Sequence, residues 1–566
     1  MTRINPPANF YRINSNAGVH WSDEQEAIFE WFAEGEGNLV VRARAGTGKT
    51  TTILEGINRA PEHRILLAAF NKAIAEELSG RIRNASARAQ TLHALGCGFC
   101  RRNLSDLQVD TRGERARALA KTACGETAKR RGNKVHSDVV VAVADLHTKI
   151  REILVDPRAD LATRLDRLAF AENATQDMIE IERRTFVDDM ELFSVGLGFE
   201  GFPQLNWSLA DIIEMALDSV DLAKQPTSII DFADMIFLPL VHNWVTPTCD
   251  LMVIDEAQDM SQAQLRLALL ATKPATNGGR ICIVGDNLQA IYGFRGADSG
   301  SLDRLKGELR ATELGLKTTY RCPQAVVKTA QAFAPDFKAA PEAPVGSIVE
   351  LKQYAEIVNL AQPGDFVLSR VNAPLVGACL LLIRAGKKAY VKGSDVGKSL
   401  LRLCDQLEFN CSTSRLTAFG KEVARWYERE VKKLGKDKPA QEKRRRLDDQ
   451  KELLEAFVEG STSIEDMHDK IRATFADTTK VDAIMCATVH RAKGLEAPRV
   501  FLLGKTFSRD DDEESNICYV ATTRAKETLY IVGKSVRDFK RGEGTTPRSD
   551  ALKDGSVEWC DSMLED

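Results

Sequence analysis

The chain has no excess of positive charge: 77 lysine and arginine residues stand against 81 aspartate and glutamate residues, a formal net charge of -4. That balance excludes a globally polycationic protein, so any nucleic-acid surface must be a local stripe or channel. Long hydrophobic runs are missing too. Uncharged aliphatic stretches such as 378–383 fall far short of a bilayer's width, and Met1–Pro7 holds no apolar signal core. A soluble, cytoplasmic protein with no membrane partner is expected, nucleoid-associated or nuclear according to its host. The twelve cysteines are scattered rather than framed, which fits a reducing compartment better than a disulfide scaffold. Only Cys97 and Cys100 have ligand spacing, and neither a second close pair nor a His-x-x-x-His follows. Two helix-buried thiols are therefore expected rather than zinc or an iron–sulfur cluster. At 566 residues the chain is too long for a single core.

What is present centres on 38–52, where an apolar strand breaks into a glycine-containing loop and enters a helix. Gly46 and Gly48 allow a tight turn, so the backbone N–H groups of Ala45 to Thr51, Thr47 included, can face a polyphosphate at the helix N-terminus. Lys49 supplies a cation and Thr50 a hydroxyl for Mg²⁺. The general pattern G-x-x-x-x-G-K-[ST] starts with glycine, and Ala43 stands there instead. Upstream, Ser22 and Gln25 open a helix. Gln25 can close a capping box on Ser22, or it can pair with the N6 and N7 edges of adenine.

A second strand, 64–69, leads to Phe70, Asn71 and Lys72, and Thr91 and His93 follow at a similar position; a ring, an amide, a hydroxyl and an imidazole at the mouth of a parallel sheet suit a single-strand track. From about 97 to 224 the pattern becomes helical and charged, with a basic run that includes Arg101, Arg102, Arg112, Arg115, Arg117, Lys121, Arg130 and Arg131. Such a run is a solvated helix face or a phosphate contact. The sheet resumes at 251–254 and delivers Asp255 and Glu256, one placed for the Mg²⁺ shell and the other to orient or deprotonate the attacking water. A further strand, 281–284, ends near Gln289, a γ-phosphate sensor, and Tyr292, Phe294 and Arg295, the composition of a base-stacking platform.

Together the loop 43–50, the Asp-Glu-Ala-Gln-Asp strand end and the run 284–297 resemble the motifs of superfamily 1 helicases of the UvrD/Rep type, in a short form like phage or F-box-helicase branches. Ala43 in place of glycine is what that family shows. The resemblance continues through 318–323, 483–496 and 513–526. It implies an α/β fold of two RecA-like parallel-sheet motor domains in tandem, each interrupted by a mainly helical insertion. The first motor domain would comprise 1–95 and 225–308 around an insertion 96–224, and the second 309–393 and 481–566 around a short insertion 394–480. In the family the second insertion rotates and contacts duplex. Here its basic runs read as a solvated helical hairpin. No carboxylate-rich nuclease pattern follows the last motif.

The resemblance further implies ATP and Mg²⁺ as cofactors, with Tyr320 stacking on adenine, Arg321 reaching the γ-phosphate, Glu496 near the ribose and Arg524 as a second arginine finger. Thr488, His490 and Lys493 would lie near DNA. The activity implied is ATP-dependent translocation on single-stranded DNA, 3′ to 5′, with duplex unwinding or protein displacement. The partners implied are single strands, single-strand/duplex junctions and nucleoprotein filaments, bound by a monomer. A filament remodeller that separates no strands and an RNA helicase would share every ATP residue.

Overall fold

The computed structural model describes residues 20–169, 176–196, 199, 201–202, 205–291, 301–409, 415–432, 438–476, 482–508 and 512–541. Six parallel strands form the first sheet: β1 Leu39–Ala43, β2 Ile65–Ala69, β3 Ala87–Thr91, β4 Leu251–Ile254, β5 Arg280–Gly285 and β6 Thr312–Leu316. Their spatial order is β3-β2-β4-β5-β1-β6. Strands β2, β4 and β5 are buried at every residue, as apolar strands covered by helices on both faces must be. Trp31, Phe32, Ile53, Ile57 and Leu78, from helices Asp23–Glu34, Lys49–Arg59 and Lys72–Ser79, cover one face. Helices Leu92–Asn103, Asp234–Val241 and Gln262–Ala271 cover the other.

The first insertion is not a separate core. Ala120, Val143, Ile150, Met215 and Val220 from its helices join one buried cluster with Val40, Leu66, Met252 and Ile283 of the sheet. Ion pairs reinforce that junction. The fully buried Arg151 donates to Asp231 through Nη2 at 2.7 Å and also to Asp234, and Arg115 Nε donates to Asp234 at 2.6 Å. Arg115 is therefore internal, and Arg130 pairs with Asp218 at 3.2 Å, so part of the basic run is spent inside the domain. Cys97 and Cys100 are buried on helix Leu92–Asn103. That helix lies so close to the next that a Cβ on Gly96 would sit 1.9 Å from the Met235 carbonyl oxygen.

The second sheet has seven strands, all paired in parallel: β7 Ser347–Leu351, β8 Phe366–Ser369, β9 Ala389–Lys392, β10 Phe475–Ala476, β11 Ile484–Thr488, β12 Ala497–Leu503 and β13 Ala525–Val532. Their order is β7-β13-β12-β8-β11-β9-β10. Val326, Ile517, Tyr519 and Val520 pack on one face. On the other, Leu375, Cys379 and Leu382 share a cluster with Leu400, Phe419, Leu454, Phe457 and Met467 of the second insertion. Asp449 of that insertion accepts the Ala373 N–H at 2.7 Å and Asn372 Nδ2 at 3.2 Å, which caps helix Ala373–Arg384.

Three expected boundaries move. Strand β6 pairs with β1, so the chain leaves the first sheet after Leu316 and not at 309: a short edge strand around Gly315 gives little periodic signal, and its pairing decides its domain. Helix Leu92–Asn103 runs through the expected 95/96 division, and β10 rejoins the second sheet before 480. Among the described residues no helix is long and apolar enough to cross a membrane. Replacing Arg151 by methionine removes the cation from the buried Asp231 and leaves Asp234 to Arg115 alone, so urea unfolding followed by circular dichroism should show a loss of about 3–5 kcal/mol.

Candidate functional site

The first domain's candidate residues gather where its strands end. Strand β1 runs into the loop 44–48, in which Gly46 and Gly48 take φ values of 69° and 80°. Helix Lys49–Arg59 starts there without a side-chain cap, so its first N–H groups and its positive end face the cleft. Thr47 is buried, its hydroxyl donating to Arg44 O at 2.9 Å. Gln25 forms the capping box: Ser22 N–H donates to its Oε1 at 3.1 Å and its own N–H donates to Ser22 Oγ at 3.3 Å. Its Nε2 reaches the loop helix at Thr52 Oγ1, 3.0 Å away. Pairing with both edges of adenine would require Oε1 to leave the cap.

Strand β4 brings Asp255 and Glu256 to the same edge. Lys49 Nζ lies 3.3 Å from the Glu256 carboxylate, and the Thr50 hydroxyl is near enough to Asp255 to favour its charged form. Burial and the Glu256 charge push Asp255 up from the usual carboxylate range. For Glu256 burial is outweighed by Lys49 and Lys493, which hold it down. Burial also opposes the charge on Lys49, but Glu256, Asp286 and Asp255 raise its pKa. Glu256 itself sits at φ 51°, a left-handed conformation that non-glycine residues avoid and that concentrates at working sites. A hydroxyl and a carboxyl near one another beside a paired lysine fit a hard cation held next to a phosphate. Thr50 and Asp255 are the residues that could hold Mg²⁺.

The second domain faces this edge with the amino ends of its strands. Glu496 precedes β12 and Arg524 precedes β13. Arg321 Nε donates to Glu496 Oε2 at 2.5 Å and Lys526 lies 3.2 Å from Oε1; although burial works against it, these cations lower the Glu496 pKa. Arg524 is buried and donates to Val520 O at 2.9 Å, Leu495 O at 3.2 Å and Thr523 Oγ1 at 3.1 Å. No carboxylate pairs with it among the described residues, and burial with the nearby Arg321 pulls its pKa down to about 10. Tyr320 is 41% exposed. Its ring is open to a stacking partner, while its N–H donates to Gly46 O at 2.9 Å.

Several bonds cross the cleft. Lys493 Nζ contacts both Asp259 oxygens at 2.6 and 2.7 Å and Gln289 O at 2.6 Å, so the cation expected near DNA is engaged by the first domain. Asn516 Nδ2 donates to Ala290 O at 3.2 Å. Gln289 is buried, its Nε2 donating to Asp286 Oδ2 at 2.7 Å.

The expected DNA track is divided. Asn71 and Thr91 each cap a helix, accepting from Ile74 N–H at 2.9 Å and Ala94 N–H at 3.1 Å. Phe70 is half-buried after β2, and burial lowers the His93 pKa. Thr488 is buried at the end of β11, with His490 just beyond it. Tyr292, Phe294 and Arg295 lie outside the described residues.

Two side chains were missed. Phe232, 53% exposed, meets His93 edge-on at 6.5 Å between ring centroids; an aromatic between two aspartates, Asp231-Phe-Ala-Asp234, is the signal that marks it. Tyr519 is fully buried and bridges the domains. It is the single hydroxyl in the apolar run 517–521, and a buried tyrosine requires a partner.

Residues 21–310 match the UvrD/REP helicase N-terminal domain, and residues 407–535 the UvrD-like helicase C-terminal domain. The F-box DNA helicase protein 1 of Schizosaccharomyces pombe is 26% identical over 90% of this chain and 57% of its own length. DNA helicase IV of Escherichia coli is 27% identical over 58% of this chain and 48% of its own, and DNA helicase II of Rickettsia typhi 24% identical over 50% and 40%. The chain thus spans about half the length of the curated relatives it matches. Removing the loop cation tests the cradle. In Lys49→Ala, titration with a fluorescent ATP analogue should show binding weakened about 10- to 150-fold, the loss of one charge-assisted bond of about 1.5–3 kcal/mol.

Proposed function

The chain belongs to the UvrD/REP helicase family, and we propose that it is an ATP-driven motor that moves along single-stranded DNA from 3′ to 5′ and couples hydrolysis to duplex unwinding. One observation carries this reading: a phosphate loop bonded to the second domain, with a buried arginine on that domain, Arg524, that no described carboxylate bonds. A site split in this way binds a triphosphate fully only when both domains approach, which makes nucleotide state and domain separation one variable.

In this mechanism Lys49 and the loop N–H groups hold the β- and γ-phosphates, and Tyr320 stacks on the base while Gln25 sits beside the loop helix. Thr50 and Asp255 would hold Mg²⁺, which would supply positive charge against the triphosphate. Glu256 orients or deprotonates the attacking water, its carboxylate kept ionised by Lys49 and Lys493. Gln289, tied to Asp286, senses the γ-phosphate. Arg321 exchanges Glu496 for phosphate oxygens and Arg524 meets charge developing on the transferred group, a contribution of about 10³–10⁵ in NTPases generally. Phe70, Asn71, Thr91, His93 and Phe232 grip the strand from the first domain, and Thr488 and His490 from the second. Each closure shifts the two grips relative to one another.

Polarity and activity are tested together by incubating the protein with ATP and paired 3′-tailed and 5′-tailed duplexes. Only the 3′-tailed substrate should be separated; separation of neither would overturn the helicase reading, and preference for the 5′ tail the direction. In Glu256→Gln, turnover should fall about 10²- to 10⁴-fold while filter binding retains nucleotide and DNA. Unchanged turnover would remove Glu256 from the role of base.

A further inference from the structure

The Tyr519 side chain occupies a position that neither the phosphate loop nor the arginines account for. Its hydroxyl accepts the Ala45 N–H at 2.9 Å and donates to Asp286 Oδ2 at 3.3 Å. The same Asp286 oxygen accepts Gln289 Nε2 at 2.7 Å, and Oδ1 accepts Arg44 Nη1 at 3.0 Å. Arg44 continues across the cleft to Asp336 at 2.9 and 3.2 Å. All three central groups, Tyr519, Asp286 and the Ala45 backbone, are shut off from solvent.

We propose that Tyr519 is a positioning residue of the second domain that reports domain closure to the nucleotide site, by bonding the phosphate loop and the carboxylate that orients Gln289 through one hydroxyl. The proposal deepens the ATPase reading of the same site and rests on it. Its physical basis is that one hydroxyl has one proton. When the domains separate, the Ala45 N–H loses its acceptor and Asp286 loses a donor in the same step, so loop and sensor change together. The Tyr519 ring packs edge-on against Phe337 of the second domain, at 5.9 Å between centroids, and that ring contact does not require either hydroxyl bond.

Tyr519→Phe keeps that ring contact and removes only the bridge. With the full chain and saturating single-stranded DNA, the variant should show an ATP KM raised about tenfold, with kcat at saturating ATP within about threefold of wild type, the equivalent of ~1.4 kcal/mol withdrawn from the closed state. An unchanged KM, or a fall in kcat alone, would overturn the proposal. Should the variant melt at a lower temperature, the pair Tyr519→Phe and Asp286→Asn decides: a double variant no worse in KM than the poorer single one supports the relay, whereas multiplied effects overturn it. A wild-type chain that hydrolyses no ATP with DNA would refute the motor reading itself, an outcome separate from the result in the variant.

Discussion

One backbone hydrogen bond, from Tyr320 N–H to Gly46 O, limits how the two halves of this protein can meet. It is 2.9 Å long and links the phosphate loop directly to the first turn of the second domain. A Cβ on Gly46 would lie 2.5 Å from Arg321 Cβ and 2.7 Å from Thr319 Oγ1. The glycine is thus required twice, once for the left-handed turn that aims N–H groups into the cleft and once because the partner domain rests against it. The second requirement is steric and leaves no choice of residue. It also fixes where Arg321 begins, and so how far into the cleft that side chain can extend.

The first half of the cleft was legible because its chemistry follows its strands. Apolar runs ending in Gly46–Thr50, in Asp255–Glu256 and near Gln289 all discharge at the carboxyl edge of one parallel sheet, where ligands of such sheets bind. The second half follows no such rule. Glu496 and Arg524 stand before their strands, so only resemblance to a family pointed to them. The edge strand β6 was assigned to the wrong domain because a five-residue segment containing Gly315 has no period to read. The insertions looked separable because their exposed faces are charged, yet their buried positions, among them Val143, Ile150, Phe419 and Phe457, complete the cores of the two sheets. Phe232 and Tyr519 were overlooked although each breaks its local pattern, one as a ring between carboxylates and the other as a hydroxyl among aliphatics.

The distribution of charge connects these parts. The first domain brings the acids Asp255, Glu256, Asp259 and Asp286 to the cleft beside Lys49 and Arg44, and the second brings the bases Arg321, Lys493, Arg524 and Lys526 beside Glu496. Some of these charges already satisfy one another: Lys493 with Asp259 across the cleft, Arg321 and Lys526 with Glu496 within the second domain. Arg524 has only neutral acceptors among the described residues. A buried cation with no carboxylate bonded to it is costly, and burial together with Arg321 lowers its pKa despite the opposing charge of Glu496. A triphosphate would bring the missing negative charge between the two sets, relieve Arg524 and compete with Glu496 for Arg321. Its release would restore the present pairs. Nucleotide binding and domain contact would then draw on the same few side chains, so neither could change without the other, and coupling would require no further wire through the protein.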